Sequence, residues 1–418
     1  MAYETRTLGE TIRARRRAAG LSQEQLAEEA RVSVGTIRKL EQEAGHARVE
    51  TLHQIARVLG VSTSALFAPG SPLPVEEDGR NRQLLAQLRR VLMPPVGIAT
   101  TEEPADLGQA EPLPEIRRRI EDGLKLYQAD RYDSVARMLP GLLRSAEAAT
   151  VAAAEEGRDQ REAALVRVHA LQLAGKYLTQ VRQYDMAYQA LVEGIRLARE
   201  LEETLTAVTG VTGLCWLLIR QDRFDEAENL AATTAERIEP RLSSASPGQL
   251  AAWGELCLRA AAAAVRNNRP DVATEARRMA ATAASAIGQE HEDFYSHWSR
   301  FGPVTVQLKA VEDLALAGDA RGVLRRVDDG LLSRSAMRKV GRPSAMTVNR
   351  HRLDVAWAHV ALGSTQDAMD ELERIRRTAG TWMQHQPRAR DVMRDILATR
   401  KRSLTKEMRE MAAHLGIA

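Results

Sequence analysis

A short turn signature recurs along most of this chain and limits the folds open to it. It reads Arg131-Tyr132-Asp133-Ser134-Val135, Gln183-Tyr184-Asp185-Met186-Ala187, Arg223-Phe224-Asp225-Glu226-Ala227 and Arg269-Pro270-Asp271-Val272-Ala273. Weaker copies are Gly318-Asp319-Ala320-Arg321-Gly322-Val323 and Gly363-Ser364-Thr365-Gln366-Asp367-Ala368. Their last residues are 52, 40, 46, 50 and 45 positions apart, and each copy lies between two helical segments. In the first three, the aromatic is placed to wedge against the preceding helix and the Asp to begin the next. The small residue lets neighbouring helices pack closely. Helical hairpins that cannot bury their own apolar faces stack into one continuous core, so an α-solenoid is expected over about residues 114–378.

Composition agrees with an all-α protein. Aromatics make up only 4% of the chain, period-2 runs are missing, and Ala, Leu, Arg and Glu dominate. At 418 residues the chain is too long for one compact core. A boundary is visible at Ala68–Pro74, APGSPLP, where three prolines and a glycine forbid regular structure. Asn81–Leu92 then reads as one helix, stopped by Pro94-Pro95, and a polar, acidic, proline-containing stretch follows from Gly97 to Pro114. The expected layout is an N-terminal domain at 1–68, a linker with one helix at 69–113, and a repeat domain at 114–418.

The N-terminal domain carries the most informative local run, Leu21–Gln42, LSQEQLAEEARVSVGTIRKLEQ. Ser22 with Gln25 makes a capping-box pattern, and Leu26, Ala27 and Ala30 give the helix after it one apolar stripe. Arg31-Val32 makes a turn. Ser33 caps a second short helix anchored by Ile37 and Leu40. Two capped helices separated by so tight a turn make a helix-turn-helix. At 100° per residue, Gly35, Lys39 and Gln42 fall within roughly 40° of the pole opposite Ile37, with Arg38 on the flank. Lys suits guanine O6/N7 and Gln suits adenine, while Thr36 and the open N–H groups of the helix start suit a phosphate. Around this run, residues 6–20 form a first helix with Leu8 and Ile12 inward. Val49–Leu59 forms a fourth, and Ser62 begins a short fifth helix ending near Phe67, which plugs the core.

The stretches LGETIRARRRAAGLSQEQLAEEARVSVGTIRKLEQ and ETLHQIARVLGVSTSALF, together spanning Leu8–Phe67, resemble the phage-repressor/Cro-like helix-turn-helix domains of the XRE family. The resemblance implies that Gln23 clamps a phosphate, that Val34, Gly35, Thr36 and Lys39 touch bases, and that His46 and Arg48 meet the DNA backbone. It also implies a structural ion pair between Arg16 and Glu41. The chain departs from the family at the turn, where Arg31 replaces the usual Gly, and an Arg in a left-handed conformation costs roughly 1 kcal/mol. The repeats look like a tetratricopeptide-type solenoid with helices longer than the 34-residue standard. The whole layout is similar to repeat-containing XRE regulators of Gram-positive bacteria, many of which sense peptides or small signalling molecules. The excess of Arg over Lys fits a GC-rich genome, such as an actinobacterial one.

The remaining chemistry is sparse. Cys215 and Cys257 each lie in an apolar helical run and read as small buried hydrophobes, not a disulfide framework. GQEHEDFYSHWSRFGP, 288–303, offers His291 and His297 six residues apart, about 240° around a helix, so they cannot share a metal on one face. Its aromatics read as packing of a long inter-repeat loop, with Tyr295 and Trp298 as candidates for a ligand pocket. Asn349-Arg350-His351-Arg352 is a candidate for lining a concave polar surface, with Asn349 and Arg352 as its ligand-contacting residues. All five tryptophans lie beyond Leu113 and are expected in cores between hairpins. Asp391–Leu415 reads as one or two amphipathic helices that either cap the repeats or pair with a second chain.

The formal charge of +3 is no basic coat, and residues 1–67 hold ten Arg/Lys against eight Glu. DNA affinity must then come from placement and from pairing two copies. No phosphate loop, nucleophile–base constellation or metal cluster is present, so neither an enzyme nor a cofactor is expected. No apolar run reaches the roughly 18 residues of a membrane span, and the N-terminus has no apolar leader segment, so a cytoplasmic protein is expected. The expected function is a sequence-specific transcriptional regulator, homodimeric on palindromic double-stranded DNA, that responds to a peptide or small-molecule effector. The alternative is a DNA-tethered scaffold whose repeats recruit a partner protein.

Overall fold

The computed structural model describes residues 8–42, 49–61, 66, 79–94, 111–292, 300–327, 329, 333–399 and 404–417. The chain folds as two compact units, Met1–Glu77 and Asp78–Ala418.

The first unit contains α1 (Leu8–Ala18), α2 (Gln23–Glu29), α3 (Val34–Gln42) and α4 (Val49–Val58). Ile12, Leu26, Ala27, Ile37, Leu40, Leu52, Ile55 and Leu66 form its core. The capping box forms: Gln25 N–H donates to Ser22 Oγ at 3.1 Å, and Ser22 N–H to Gln25 Oε1 at 2.7 Å. Arg31 takes the left-handed conformation, φ 54°, and Val32 N–H closes the turn on the Ala27 carbonyl at 2.9 Å. Gly9 seats α1 on α3, because a Cβ there would stand 2.3 Å from the Leu40 carbonyl oxygen. The expected plug, Phe67, and most of the expected fifth helix lie outside the described residues.

The second unit is all helix apart from its turns and one isolated bridge between His291 and Phe301, among the described residues. It opens with α5 (Gly79–Leu92), the helix expected in the linker. Leu88 and Leu92 of α5 are buried in the second unit's own core, so this helix belongs to that unit. There follow α6 (Leu113–Gln128), α7 (Tyr132–Glu156), α8 (Gln160–Gln180), α9 (Tyr184–Glu200), α10 (Thr204–Arg220), α11 (Phe224–Arg237), α12 (Pro247–Arg266) and α13 (Pro270–Ile287). After the 288–302 connection come α14 (Pro303–Leu316), α15 (Ala320–Arg325), α16 (Arg334–Val340), α17 (Ala345–Ala361), α18 (Thr365–Gln384), α19 (Pro387–Thr399) and α20 (Lys406–His414). From α6 to α14 each helix packs on the next, the pattern of stacked hairpins.

The repeated turn is one conformation used six times. Asp130, Arg182, Asp222 and Asn268 have φ of 62°, 65°, 60° and 56°, and Gly318 and Gly363 have 81° and 85°. At each, the next residue's N–H reaches the carbonyl five positions back. The pairs are Arg131–Leu126, Gln183–Leu178, Arg223–Leu218, Arg269–Ala264, Asp319–Leu314 and Ser364–His359, at 2.8–3.0 Å. This is the Schellman ending, which satisfies carbonyls orphaned at a helix terminus. Helix length varies freely between these corners, from 25 residues in α7 to 6 in α15, which explains the irregular period.

The stack then returns to its beginning. Leu353, Trp382, Met393 and Met408 share one buried core with Ile116, Ile120, Leu139 and Leu173. Ala379 breaks α18 at φ −154°, ψ 53°. Just beyond the break, Thr381 and Trp382 N–H donate to the Asp130 carboxylate at 2.8 and 2.6 Å. The tail caps the repeats: Met408, Met411 and Ala412 are buried against its own chain, so this apolar face is not available for a second copy. The tryptophans do not all sit in cores. Trp253 and Trp382 are buried, but Trp216 and Trp357 are half-buried and carry Arg side chains on their ring faces, and Trp298 lies outside the described residues. Among the described residues, no helix is long and apolar enough to cross a membrane.

Candidate functional site

The outward face of α3 is set by what its inward face buries. Ile37 and Leu40 are locked in the core, which turns Gly35, Arg38, Lys39 and Gln42 to solvent and leaves Val34 and Thr36 partly covered. Ser33 is exposed and holds the helix start: its Oγ accepts the Thr36 N–H at 3.0 Å and shares a 2.8 Å bond with Thr36 Oγ1. The N-cap expected of Ser33 thus forms and takes up the Thr36 N–H. Arg38 donates to Glu24 at 2.8 Å, across to α2. An added Cβ at Gly35 would meet only Ser33 Oγ, at 3.7 Å, so the domain's own packing does not demand a glycine there.

Behind this face a buried network fixes three helices to one another. Arg16 donates from Nε and Nη2 to the two Glu41 oxygens at 2.7 and 3.0 Å, and from Nη1 to the Leu21 carbonyl at 2.8 Å. Gln23 Nε2 adds a bond to Glu41 Oε2 at 2.7 Å. Burial alone would raise the Glu41 carboxyl, but the hydrogen bonds from Arg16 and Gln23 outweigh it and hold the group below the usual carboxylate range. Gln23 is thus tied into the network that orients α3 through one of its two N–H donors.

The other expected site residues are scattered. His46, Arg48, Tyr295 and Trp298 lie outside the described residues. Asn349 is buried and Arg352 half-buried on α17. The residue of that run that meets aromatic rings is instead Arg350, with its guanidinium carbon 4.6 Å from the Trp216 ring centre and 5.9 Å from that of Trp382. Arg220 and Arg259 also lie against Trp216, at 5.9 and 5.4 Å. Arg350 belongs to the run singled out in the sequence, but Trp216, Arg220 and Arg259 were not picked out as its neighbours. The one local signal was Trp216 and Arg220 at i, i+4 on α10. Cys215 and Cys257 are buried and unbridged, and burial pushes each thiol up to about 12. No group of three or more potential metal ligands occurs among the described residues.

Comparison with known families matches residues 12–66 to the helix-turn-helix model. Residues 12–66 form an XRE-type helix-turn-helix. The match makes the head a DNA-binding domain and spans the network and the exposed α3 face together. No curated protein matches the chain. Among solved structures, the crystal structure of Bacillus thuringiensis PlcR in complex with the peptide PapR7 and DNA is similar. It is 15% identical, covers 67% of this chain and 94% of that chain, and has a TM-score of 0.21. A superposition of that quality carries no argument about how this chain folds or works.

Proposed function

We propose that the chain is a sequence-specific transcriptional regulator that binds a palindromic operator as a homodimer. In this reading residues 1–68 read DNA, and the second unit, whose helical repeats of 114–418 are of tetratricopeptide-like type, senses a peptide or small-molecule signal. The observation that carries the reading is the α3 face, with Lys39, Gln42 and Arg38 exposed around a glycine that packing does not require. A glycine there lets the helix backbone approach a groove closely. Val34 and Thr36 lie at the flank of that face. Gln23 retains a second N–H for a phosphate, Ser33 fixes the helix start, and His46 and Arg48 complete the backbone contacts. A single small head binds weakly, and two copies related by a two-fold axis read two half-sites about one helical turn apart.

Selection of bound sequences from random duplex DNA, with the full chain and with residues 1–77, tests this. The expected result is a palindrome bound far better by the full chain. Binding without a motif, collapsing with added salt, would reduce the head to a non-specific anchor. Lys39→Ala is expected to cost about 1–3 kcal/mol of operator binding and to relax preference at one base position. Gln23→Ala should weaken all sequences about equally.

A further inference from the structure

Polar groups from four helices of the second unit converge inside it, and their charges do not balance locally. Glu312 on α14 is shared by Arg266 and Lys309, both at 2.8 Å. Glu255 on α12 holds Arg259 at 3.4 Å. Among the described residues, Arg220 on α10 meets only neutral acceptors at long range, Gln386 Oε1 at 3.4 Å and the His385 carbonyl at 3.3 Å. Arg350 on α17 has less still. It lies on the faces of Trp216 and Trp382 and makes no hydrogen bond or ion pair with any described residue.

The setting of Arg350 is unusual. Its guanidinium is surrounded by protein, which opposes its charge, and Glu312 is the carboxylate that most favours it. Yet the side chain keeps accessible surface. The guanidinium is therefore crowded by protein without being sealed in a packed core. A guanidinium offers five donors in a planar fork matched to carboxylate and phosphate oxygens, and it does not relieve its burial by losing the proton. Stacking on indole compensates part of the lost hydration. It does not relieve the repulsion among Arg220, Arg259 and Arg350, which crowd one ring.

We propose that the accessible face of Arg350 beside Trp216 is an anion site in which Arg350 and Arg220 hold the carboxylate or phosphate of a small ligand. The partly exposed Trp216 indole supplies a flat apolar wall for the ligand's body. The assignment deepens the sensor reading and depends on it only for the name effector: it gives the chemical group by which the effector is held.

The test is titration of the full-length protein with benzoate and with inorganic phosphate, at ionic strength held constant with chloride. Tryptophan fluorescence and melting temperature are both followed. Wild type should bind at least one of the two saturably and melt higher with it. Arg350→Met should weaken that binding at least tenfold and abolish the rise, yet melt no lower than wild type in anion-free buffer. Arg220→Met should weaken it less, and Arg352→Met, 200° around α17 from Arg350, should not. Comparison of the two probes shows whether carboxylate or phosphate is preferred. The proposal is overturned if neither probe binds beyond chloride, or if Arg350→Met binds as wild type does. It is also overturned if that variant melts well below wild type without anion, which would make Arg350 a structural residue. Operator affinity measured with and without the bound probe separates the two readings. Anion binding with unchanged DNA affinity would sink the sensor reading and leave the site. DNA affinity that answers some other ligand, with no anion binding, would do the reverse.

Discussion

Arg16 and Arg350 are both enclosed arginines, and the two units treat them differently. In the head, Arg16 meets Glu41 through two hydrogen bonds, with Leu21 and Gln23 completing the cluster. Every charge is answered inside the domain, so the cluster holds helices together and asks nothing of a partner. In the repeats, Arg350 rests on two indoles and makes no ion pair with a described residue, although Glu312 and Asp354 favour its charge from further off. A matched buried charge is a brace, and one left without a direct partner is what the proposed anion site would use.

The contrast can be broken most severely in the head. Glu41→Ala would leave Arg16 buried and uncompensated, and is expected to destabilise the head by about 3–5 kcal/mol. Denaturant unfolding of residues 1–77 would measure this, and a loss below about 1 kcal/mol would mean that Arg16 is not braced as described. In the repeats, Asp130→Ala would strip the acceptor from Thr381 and Trp382 N–H. Bonds to a charged group are each worth about 1.5–3 kcal/mol, so a comparable drop in the unfolding free energy of the second unit is expected. Asp130→Asn, which keeps an acceptor, should recover part of it.

A third prediction concerns pH. Burial, together with the charge of Arg352, lowers His351 to about 4; burial, with Arg182, Arg390 and Arg220 nearby, lowers His385 to about 4. Unfolded histidine takes up its proton near 6.5, so below that pH the unfolded chain binds more protons than the folded one. The stability these groups contribute is present at neutral pH and is lost as pH falls from about 6.5 toward 4, on the order of 3 kcal/mol for each. Melting temperature against pH should show the slope, and His351→Asn should flatten it.

The head was legible in the sequence because its information is local. Ser22, Gln25 and Ser33 mark helix starts within a few residues of the apolar positions they serve, and the period of Ile37 and Leu40 sets the outward face. The corners of the repeats were legible for the same reason. Their left-handed residue is easier to miss, because Asp130, Arg182, Asp222 and Asn268 stand where glycine is usual. The interior of the repeats was not legible. Trp216 and Arg350 are more than a hundred residues apart, and only the return of α17 and α18 to the first hairpins brings them together. The run Asn349–Arg352 stood out as polar, but nothing local could say what Arg350 would meet.

That return has a mechanical consequence. A stack of hairpins open at both ends behaves as a spring, and a guest in its groove can lengthen or shorten its pitch. Here the Asp130 carboxylate fastens the first corner to the break in α18. Stretching the coil means unfastening this clasp first, so small strains are resisted and large ones released abruptly. A message sent through such a body travels as an opening or closing, not as a graded extension.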